Sequence, residues 1–352
     1  MLDLHPVILE DLKRITQEKI HFEKLRGKTV LITGANGMIA SYLIYTLLYL
    51  NDTQNMRIHV LGLVRNGEKA RLHFAGLTQR QDFHLLVQDV CAPIEFDETV
   101  HFIVHAASQA SPVQFRTDPV GTIRANTVGT TRMLELAADR KAEGFLMLST
   151  REIYGSVPAT CEAVQEDAYG SFDPTQVRAC YPESKRMAET LCAAYAFQYG
   201  VPARVARIAH TYGPGIAIGD GRVVGDFLSN VIHSQDIVMN SDGSAVLGLT
   251  YISDVVAGLF LCLLDGHEFV YNVSSMDGVL TVRELAQMLA KLYPERNIGL
   301  RLQPASEEVK AGYLKHRVPL LDSARIIQEG WHPTVDIQEG FRRTIAYQES
   351  KL

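Results

Sequence analysis

The sequence predicts an α/β fold of the doubly wound type, in which helices cover both faces of a mainly parallel sheet. Three observations predict it: short apolar runs recur over the first two thirds of the chain, helical patterns separate them, and a glycine-containing turn follows the first run. Apolar runs of this length indicate strands that are buried on both faces, as parallel strands are. The predicted strands are residues 29–33, 58–64, 85–87, 102–105, 145–149 and 203–208.

Residues 1–27 are predicted to form an N-terminal helical extension that precedes the sheet. Ile8, Leu12, Ile15 and Phe22 recur at a helical period with charged residues between them, which predicts one helix over residues 7–25. We expect this helix to pack on its own chain, and a dimer contact is the alternative.

The rest of the chain is predicted to form two unequal parts. Residues 28–214, with segments that return near 250–275, form the doubly wound domain. Residues 215–352 form mainly a smaller C-terminal lobe, because the alternation of strands and helices loosens there and Gly and Asp become frequent. The helices predicted in this lobe cover residues 223–233, 254–265 and 281–293.

The composition is that of a globular protein. The chain has 352 residues, of which 47% are hydrophobic and 21% charged, and its net charge of −6 gives no broad positive field for nucleic acid or an anionic membrane. The five cysteines are scattered and lack metal-ligand spacing, so we expect a reducing compartment and no metal site. No apolar run reaches membrane-spanning length, and we expect a cytoplasmic protein.

The turn after the first predicted strand has the pattern of a dinucleotide site. Its two glycines permit a tight turn and let a pyrophosphate approach backbone N–H groups, and a small alanine follows where the next helix lies against the strand. We therefore expect a Rossmann-type domain that binds NAD or NADP. The predicted contacts in this turn are Gly34, Asn36, Gly37, Met38 and Ile39.

Two further residues are expected at the adenosine end of the cofactor. Arg65 stands at the tip of the second strand, where an NAD site usually has an acidic residue, so NADP is mildly favoured over NAD. A solvated surface arginine is the alternative. Asp89 follows the third strand and is placed to meet the adenine, with a helix-cap role as its alternative.

Tyr181 and Lys185 are spaced to lie on one face of a helix. Using a tyrosine phenolate near neutral pH requires a pKa shift of about three units, or roughly 4 kcal/mol. A neighbouring ammonium group and the positive charge of a nicotinamide could supply that shift. Thr150, a hydroxyl residue at the end of the fifth predicted strand, completes the pattern expected for oxidation or reduction of a carbinol carbon.

With these motifs in order, the sequence resembles the extended short-chain dehydrogenase/reductase family, in its NAD-dependent epimerase/dehydratase branch. Within that branch it is similar to UDP-glucuronate decarboxylases and dTDP-glucose 4,6-dehydratase-like enzymes of nucleotide sugars. The resemblance extends from residue 28 to about 345. Its motifs are residues 33–40, 105–109, 126–130, 149–155, 180–185, 207–214, 219–224, 251–254, 271–273 and 330–333.

The resemblance implies four catalytic residues. Tyr181 would remove the proton from a sugar 4-hydroxyl while hydride passes to the cofactor, and Thr150 would hydrogen-bond the reacting oxygen. Lys185 would lower the pKa of Tyr181 and bind the nicotinamide ribose. Glu152 would act at C5 and C6 of the sugar, since a C4 ketone acidifies the C5 proton and a base can then drive β-elimination. A helix-cap or surface role is the alternative for Glu152.

The resemblance also implies contacts with both ligands. Beyond the first turn, the residues implied for the cofactor are Val90, Ala106, Ala107, Ser108, Asn126 and His210, together with Tyr181 and Lys185. The residues implied for a nucleotide-diphosphate sugar are Gln109, Ser111, Arg151, His210, Arg222 and Val223. The smaller C-terminal lobe would bind this substrate, and the family implies a homodimer through the helix that carries Tyr181.

Three positions depart from the family pattern. Arg151 replaces the aspartic acid of the dehydratases, and an arginine cannot be an acid at any working pH. Leu247 replaces an arginine that contacts the diphosphate and that the decarboxylases need, so decarboxylation is disfavoured. His210 replaces an asparagine.

The sequence thus favours a 4,6-dehydratase that oxidises C4 transiently. A 4-epimerase or 4-ketoreductase is the first alternative and a decarboxylase is less favoured. A non-catalytic regulator that binds the cofactor is the least favoured.

Overall fold

The computed structural model describes residues 2–303, except 95, 97, 159 and 220, and residues 319–352. The strands are β1 (Thr29–Thr33), β2 (His59–Val64), β3 (Phe83–Val87), β4 (Phe102–His105), β5 (Gly144–Thr150), β6 (Ala163–Val164), β7 (Ala203–Ile208), β8 (His210–Tyr212), β9 (Ile237–Met239), β10 (Val246–Tyr251), β11 (Val270–Val273), β12 (Val279–Thr281), β13 (Leu300–Leu302) and β14 (Leu320–Leu321).

The helices are α1 (Pro6–Gln17), α2 (Met38–Gln54), α3 (Gly67–His73), α4 (Pro112–Thr117), α5 (Pro119–Asp139), α6 (Cys180–Tyr199), α7 (Val223–Ile232), α8 (Ile252–Leu264), α9 (Val282–Leu292), α10 (Ala324–Gln328) and α11 (Ile337–Glu349). Short 3₁₀ turns cover Phe22–Leu25, Arg151–Tyr154, Val177–Ala179 and Pro294–Arg296.

A seven-stranded parallel sheet forms the centre of the fold, in the order β3-β2-β1-β4-β5-β7-β11. The predicted doubly wound class is confirmed, and all six predicted strands lie in this sheet. The seventh strand, β11, comes from the segment near residue 270 and pairs with β7. The strand order reverses between β1 and β4, so a crevice opens there at the carboxyl ends of the strands, where such sheets bind ligands.

The later part of the chain adds smaller sheets beside the large one. Strand β10 pairs with β8 in parallel and with β12 antiparallel, and two further strand pairs join β9 to β13 and β6 to β14. Helix α8 is buried along its whole length and packs against β5, β7 and β10, which explains why its sequence is apolar on every side. One hydrophobic cluster runs from β1 and α2 through α8 to α7 and α9.

The N-terminal extension packs on its own chain, but its predicted single helix over residues 7–25 is wrong. Helix α1 ends at Gln17 because Glu18 is extended, and a separate 3₁₀ turn follows. The break lets His21 bind the Asp265 carboxylate through its backbone N–H and its ring, both at 2.9 Å, and lets Phe22 pack edge-to-face on Phe260.

A buried carboxylate fixes α1 to the rest of the protein. Asp11 accepts hydrogen bonds from the hydroxyls of Tyr42 in α2 and Tyr251 in β10, each at 2.9 Å, and from the Arg343 guanidinium in α11. Burial raises the pKa of Asp11, while Arg343 and the two hydroxyls oppose that rise.

None of the described helices is both long and apolar enough to cross a membrane.

Candidate active site

The first βα turn lies at the crevice between β1 and β4. Gly34 has a positive φ of 67°, and a Cβ built on it would lie 2.8 Å from the Cα of Ala107, so only glycine fits there. The Thr33 hydroxyl accepts hydrogen bonds from the N–H groups of Ala106 (3.1 Å) and Ala107 (3.0 Å), which ties the end of β4 to the end of β1.

A histidine that sequence reasoning missed supports this junction. His105, the last residue of β4, contacts the hydroxyls of Thr33 at 2.9 Å and Thr130 at 3.1 Å. Burial, and then the charge of Lys185, lower the pKa of His105 to about 3, so its ring is neutral. A histidine as the last residue of a buried strand was the available sequence signal.

The residues of the crevice fit a bound dinucleotide. Helix α2 begins after Gly37, and its first turn, which includes Met38 and Ile39, has backbone N–H groups without intrahelical partners. Buried polar atoms of Asn36 (Oδ1), Ser108 (Oγ) and Asn126 (Oδ1) also have no hydrogen-bond partner among the described residues. Such atoms are costly to bury unless a ligand pairs with them.

Three residues predicted at the cofactor site have other contacts. Asp89 accepts a hydrogen bond from the Cys91 N–H at 2.8 Å within a turn that begins no helix, so the helix-cap alternative is wrong. The Val90 side chain is buried and packs in a hydrophobic cluster. Asn126 donates from its amide to the Ser184 hydroxyl at 2.9 Å and thereby braces the start of α6.

Arg65 is exposed at the end of β2. It lies close enough to Asp118 to help lower the pKa of that carboxyl, after the larger effects of hydrogen bonds from Gln109 and the Gly121 N–H. Gln109 is thus bound to Asp118, the residue that caps α5, at 3.2 Å.

Tyr181 lies in the first turn of α6, within a pocket formed by residues far apart in sequence. Its ring stacks on Phe115 of α4, with centroids 4.7 Å apart and planes at 22°. The Thr150 side chain hydrogen-bonds the Tyr181 side chain. Burial and then the Glu152 charge raise the pKa of Tyr181, whereas Thr150 and Arg178 lower it. The structure therefore brings Thr150, Glu152 and Tyr181 together.

Lys185 lies one turn further along α6, where it is 2% exposed. Its ammonium group donates to the Leu148 carbonyl at 2.8 Å. Burial lowers its pKa to about 8, and the charge of Glu189 opposes that decrease. Within the described residues, the groups that lower the Tyr181 pKa are Thr150 and Arg178.

A buried ion pair lies behind this lysine. Arg207 of β7 pairs with Glu189 of α6 at 2.7 Å and donates to the Tyr154 hydroxyl at 2.9 Å. Glu189 also accepts a hydrogen bond from Ser149 in β5. These contacts connect α6 to the sheet at the turn of Lys185 and fix the helix that carries both predicted catalytic side chains.

Arg178 and Phe115 are site residues that sequence reasoning missed. Arg178 binds both carboxylate oxygens of Glu152 through Nη2, at 2.8 and 3.1 Å, and its guanidinium carbon lies 4.6 Å from the centre of the Phe115 ring. The position of Arg178, three residues before Tyr181, was a signal that could have identified it. Nothing in the local sequence pattern indicates Phe115.

Arg151 and His210 form a second basic pair in the site. Arg151 is buried, its Nη2 lies 3.3 Å from Nε2 of His210, and its Nη1 has no partner among the described residues. Burial, then the charges of Arg151 and Arg222, lower the pKa of His210 well below its ordinary value. Protein atoms surround the His210 ring closely enough to lower its pKa, and yet solvent reaches the side chain. A side chain that lines a cleft has both properties.

The remaining predicted substrate residues lie at element ends. Ser111 and Arg222 are the N-cap residues of α4 and α7, and Val223 is the exposed first residue of α7. Leu247 is buried and pairs with Leu280 between β10 and β12, so it offers no charge to a ligand. Within the described chain, no group of three or more His, Cys, Asp or Glu is arranged to hold a metal ion.

The fold and the site define a class of enzymes that bind a dinucleotide at the crevice of a doubly wound sheet. A family model described as the NAD dependent epimerase/dehydratase family matches residues 30–274, and the chain belongs to that family.

Two curated relatives are similar over most of this chain. It is 33% identical to UDP-glucuronic acid decarboxylase 1 of Danio rerio over 329 residues, which are 92% of this chain and 73% of the relative. It is 34% identical to UDP-glucuronic acid decarboxylase 2 of Arabidopsis thaliana over 320 residues, which are 90% of this chain and 67% of the relative.

Solved structures share the fold. UDP-glucose 4-epimerase of Thermotoga maritima, determined with UDP-glucose, aligns with a TM-score of 0.75 and 21% identity, covering 92% of this chain and 99% of the other. UDP-glucuronic acid 4-epimerase of Bacillus cereus, in complex with UDP-glucuronic acid and NAD, also gives 0.75, with 19% identity, covering 92% and 100%.

Proposed function

We propose that this protein oxidises C4 of a nucleotide-diphosphate sugar, removes a group at C6 from the resulting ketone, and returns the hydride. The observation that carries the proposal is the meeting of Thr150 and Tyr181 beside a turn whose glycine, helix N-terminus and unpartnered polar atoms suit a dinucleotide. NAD or NADP, when bound, would accept the hydride and later return it.

Tyr181 would take the proton of the C4 hydroxyl as the hydride leaves that carbon. Thr150, which already hydrogen-bonds the phenol, would hold the C4 oxygen in line with it. Lys185 would bind the nicotinamide ribose, because its ammonium is directed into the end of β5 by the Leu148 carbonyl. Its positive charge, together with that of the bound nicotinamide, would then favour the phenolate.

We propose that the C5–C6 bond breaks and that a C6 carboxylate leaves as carbon dioxide, so decarboxylation is favoured over the dehydration that the sequence favours. A carboxylate at C6 is β to the C4 ketone, so carbon dioxide leaves while its bonding electrons form an enolate at C4 and C5. Thr150 and Tyr181 would hydrogen-bond the enolate oxygen, and a proton would then add at C5.

Arg151 supports this choice. Its buried guanidinium has an unpartnered Nη1, and among the described residues the nearby Glu152 carboxylate acts on it by charge but is hydrogen-bonded to Arg178. A buried charge without a partner is unfavourable, and an anionic substrate group would compensate it. Arg151, with the neighbouring His210, would thus supply the positive charge of the family arginine whose position Leu247 occupies. The curated decarboxylase relatives support the same choice.

Dehydration is the second candidate and uses the same first step. It is favoured by Glu152, which stands two residues after Thr150, where a base could take the C5 proton. It is disfavoured by the two arginines around Glu152, because neither can protonate a departing hydroxyl. A 4-epimerase or 4-ketoreductase would need Thr150, Tyr181 and Lys185 but not Glu152.

We propose NADP as the cofactor, a homodimer as the assembly and the cytoplasm as the compartment. NADP remains mildly favoured by Arg65, although the Bacillus cereus relative was determined with NAD. A homodimer is supported by apolar side chains exposed on α5 and α6, and all five cysteines are free thiols, as in a reducing cytoplasm. The exposed apolar residues of these helices are Val120, Ile123, Met187, Phe197 and Tyr199.

Product mass tests the function directly. The purified protein is incubated with UDP-glucuronic acid, UDP-glucose and dTDP-glucose, each with NAD and with NADP. We expect loss of carbon dioxide from UDP-glucuronic acid. Loss of water from either hexose would establish dehydration instead, and an isomer of unchanged mass would establish epimerisation. Absence of any product with all three sugars would contradict the proposal.

A further inference from the structure

We propose that Arg178 is a positioning residue: it holds the Glu152 carboxylate on one side and, across the ring of Phe115, supplies positive charge to the Tyr181 phenol. The inference rests on the proposed function, because it concerns the same site. It makes Arg178 a second source of positive charge for the phenol, beside Lys185.

The contact with Glu152 fixes the carboxylate in place. Nη2 of Arg178 lies 2.8 and 3.1 Å from the two oxygens of Glu152. The two side chains are 24% and 21% exposed, so the pair is shielded from bulk water more than a surface ion pair is. The Glu152 carboxylate therefore lies near the phenol in an orientation that depends on Arg178.

The contact with Phe115 connects the same guanidinium to Tyr181. The Phe115 ring contacts both groups: the Arg178 guanidinium carbon lies 4.6 Å from the ring centre, and the Tyr181 ring stacks on it with centroids 4.7 Å apart. Phe115 is 2% exposed and excludes water from this assembly. A charge acting through an apolar ring is weakly screened, so its effect on the phenol persists.

The other groups that face Tyr181 leave this role to Arg178. The turn after β5 contributes Glu152 and Thr150, helix α5 contributes the neutral Asn126 through Ser184, and α4 contributes Phe115 beside the Cys180 thiol. Lys185, on α6 itself, is directed to the Leu148 carbonyl. Glu152 raises the pKa of Tyr181, and Arg178 is the charged group that lowers it.

A cycle of substitutions tests the inference through the pH dependence of cofactor reduction. Single-turnover formation of reduced cofactor is measured from pH 6 to 10 for the wild type, Arg178→Gln, Glu152→Gln and the double variant. The probe is whichever of UDP-glucuronic acid, dTDP-glucose and UDP-glucose the wild type turns over. Because the phenolate is the reactive form, the rate at low pH reports its pKa.

We expect Arg178→Gln to shift the profile by about one unit toward alkaline pH, which is about a tenfold slower rate at a fixed pH below the midpoint. Glu152→Gln should shift it in the opposite direction, and the double variant should return near the wild-type midpoint. Arg178→Lys, which keeps the charge, should have a midpoint close to that of the wild type.

An unshifted profile in Arg178→Gln would overturn the inference, whatever its effect on the maximal rate. Should Arg178→Gln fail to fold, a Glu152→Gln profile that is unshifted or moves toward alkaline pH would overturn it equally. Tyr181→Phe separates this failure from that of the proposed function. If Tyr181→Phe still reduces the cofactor, the proposed function is wrong. If it does not and the Arg178 variants are unshifted, only the role of Arg178 is wrong.

Discussion

The cofactor end and the substrate end of the site differ in what defines them. The cofactor end depends on backbone: Gly34 at positive φ, the start of α2, and two N–H groups that donate to Thr33. The substrate end depends on long charged side chains, and Arg151, Arg178 and His210 contact one another or Glu152 across chain separations of 26 to 59 residues. Sequence motifs indicate where the backbone needs a glycine or a helix start, whereas the pairing of distant side chains depends on tertiary packing.

The largest expected effect is the loss of turnover on substitution of Tyr181, which lies between the cofactor end and the substrate end. Tyr181→Phe removes the general base but keeps the stack on Phe115. We expect turnover to fall by about 10²–10⁴-fold, with cofactor affinity nearly unchanged. Single-turnover cofactor reduction and calorimetric titration of NAD or NADP measure the two quantities. Turnover within a few-fold of wild type would show that the phenol is not the base.

At the substrate end, Arg151→Gln should act on carboxylate recognition alone. We expect the KM for UDP-glucuronic acid to rise by about 10–100-fold, because a charge-assisted contact contributes about 1.5–3 kcal/mol. Arg151→Lys is the matched control, which keeps the charge and loses the planar fork. If the KM for UDP-glucuronic acid is unchanged in Arg151→Gln, Arg151 does not bind the carboxylate.

At the cofactor end, Gly34→Ala should weaken dinucleotide binding without any change in charge. The added Cβ would lie 2.8 Å from Ala107, and the positive φ adds about 1–2 kcal/mol of strain. Gly76→Ala is the control, since Gly76 has a positive φ of 80° and nothing within 4 Å of its added Cβ. We expect a loss of cofactor affinity in the first variant only. Equal affinities in both variants would place the pyrophosphate elsewhere.

The smallest effect concerns the stability of the free protein. The folded-state pKa of Lys185 is about 8, below the ordinary 10.5, so the unfolded chain binds more protons between these values. Stability contributed through Lys185 is therefore low below pH 8 and increases as pH rises toward 10.5. We expect the unfolding free energy of wild type, relative to Lys185→Met, to rise by about 2 kcal/mol from pH 7.5 to 10 in urea titrations. A constant difference would mean that Lys185 is not buried as an ammonium.

The fold was accessible from sequence because its signals are local. Runs such as 102–105 are apolar throughout, and their burial on both faces leaves parallel strands as the natural arrangement. The seventh strand was less accessible: Tyr271 and Asn272 are not a distinctive apolar run, and their strand forms because β7 offers a free edge. Helix α1 ends early at the extended Glu18, and the segment after it contacts the distant Asp265 carboxylate, which no local pattern shows.

The site was accessible only in part. The spacing of Tyr181 and Lys185 correctly places both on α6, but spacing does not show that the Lys185 ammonium turns to Leu148. Phe115 and Arg178 reach the phenol from two other segments, so their contribution depends on tertiary packing. Arg151 was read as a departure from the family, and only its burial shows that the departure leaves a cation in need of an anion.

An isotope experiment shows whether C4 of the sugar is oxidised transiently. UDP-glucuronic acid that carries deuterium at C4 is converted by the protein with unlabelled cofactor, and the product is examined by NMR and mass spectrometry. We expect loss of carbon dioxide, a primary isotope effect on cofactor reduction, and deuterium back at C4. Product formed without an isotope effect on cofactor reduction, or with its C4 deuterium exchanged for solvent protium, would contradict transient oxidation at that carbon.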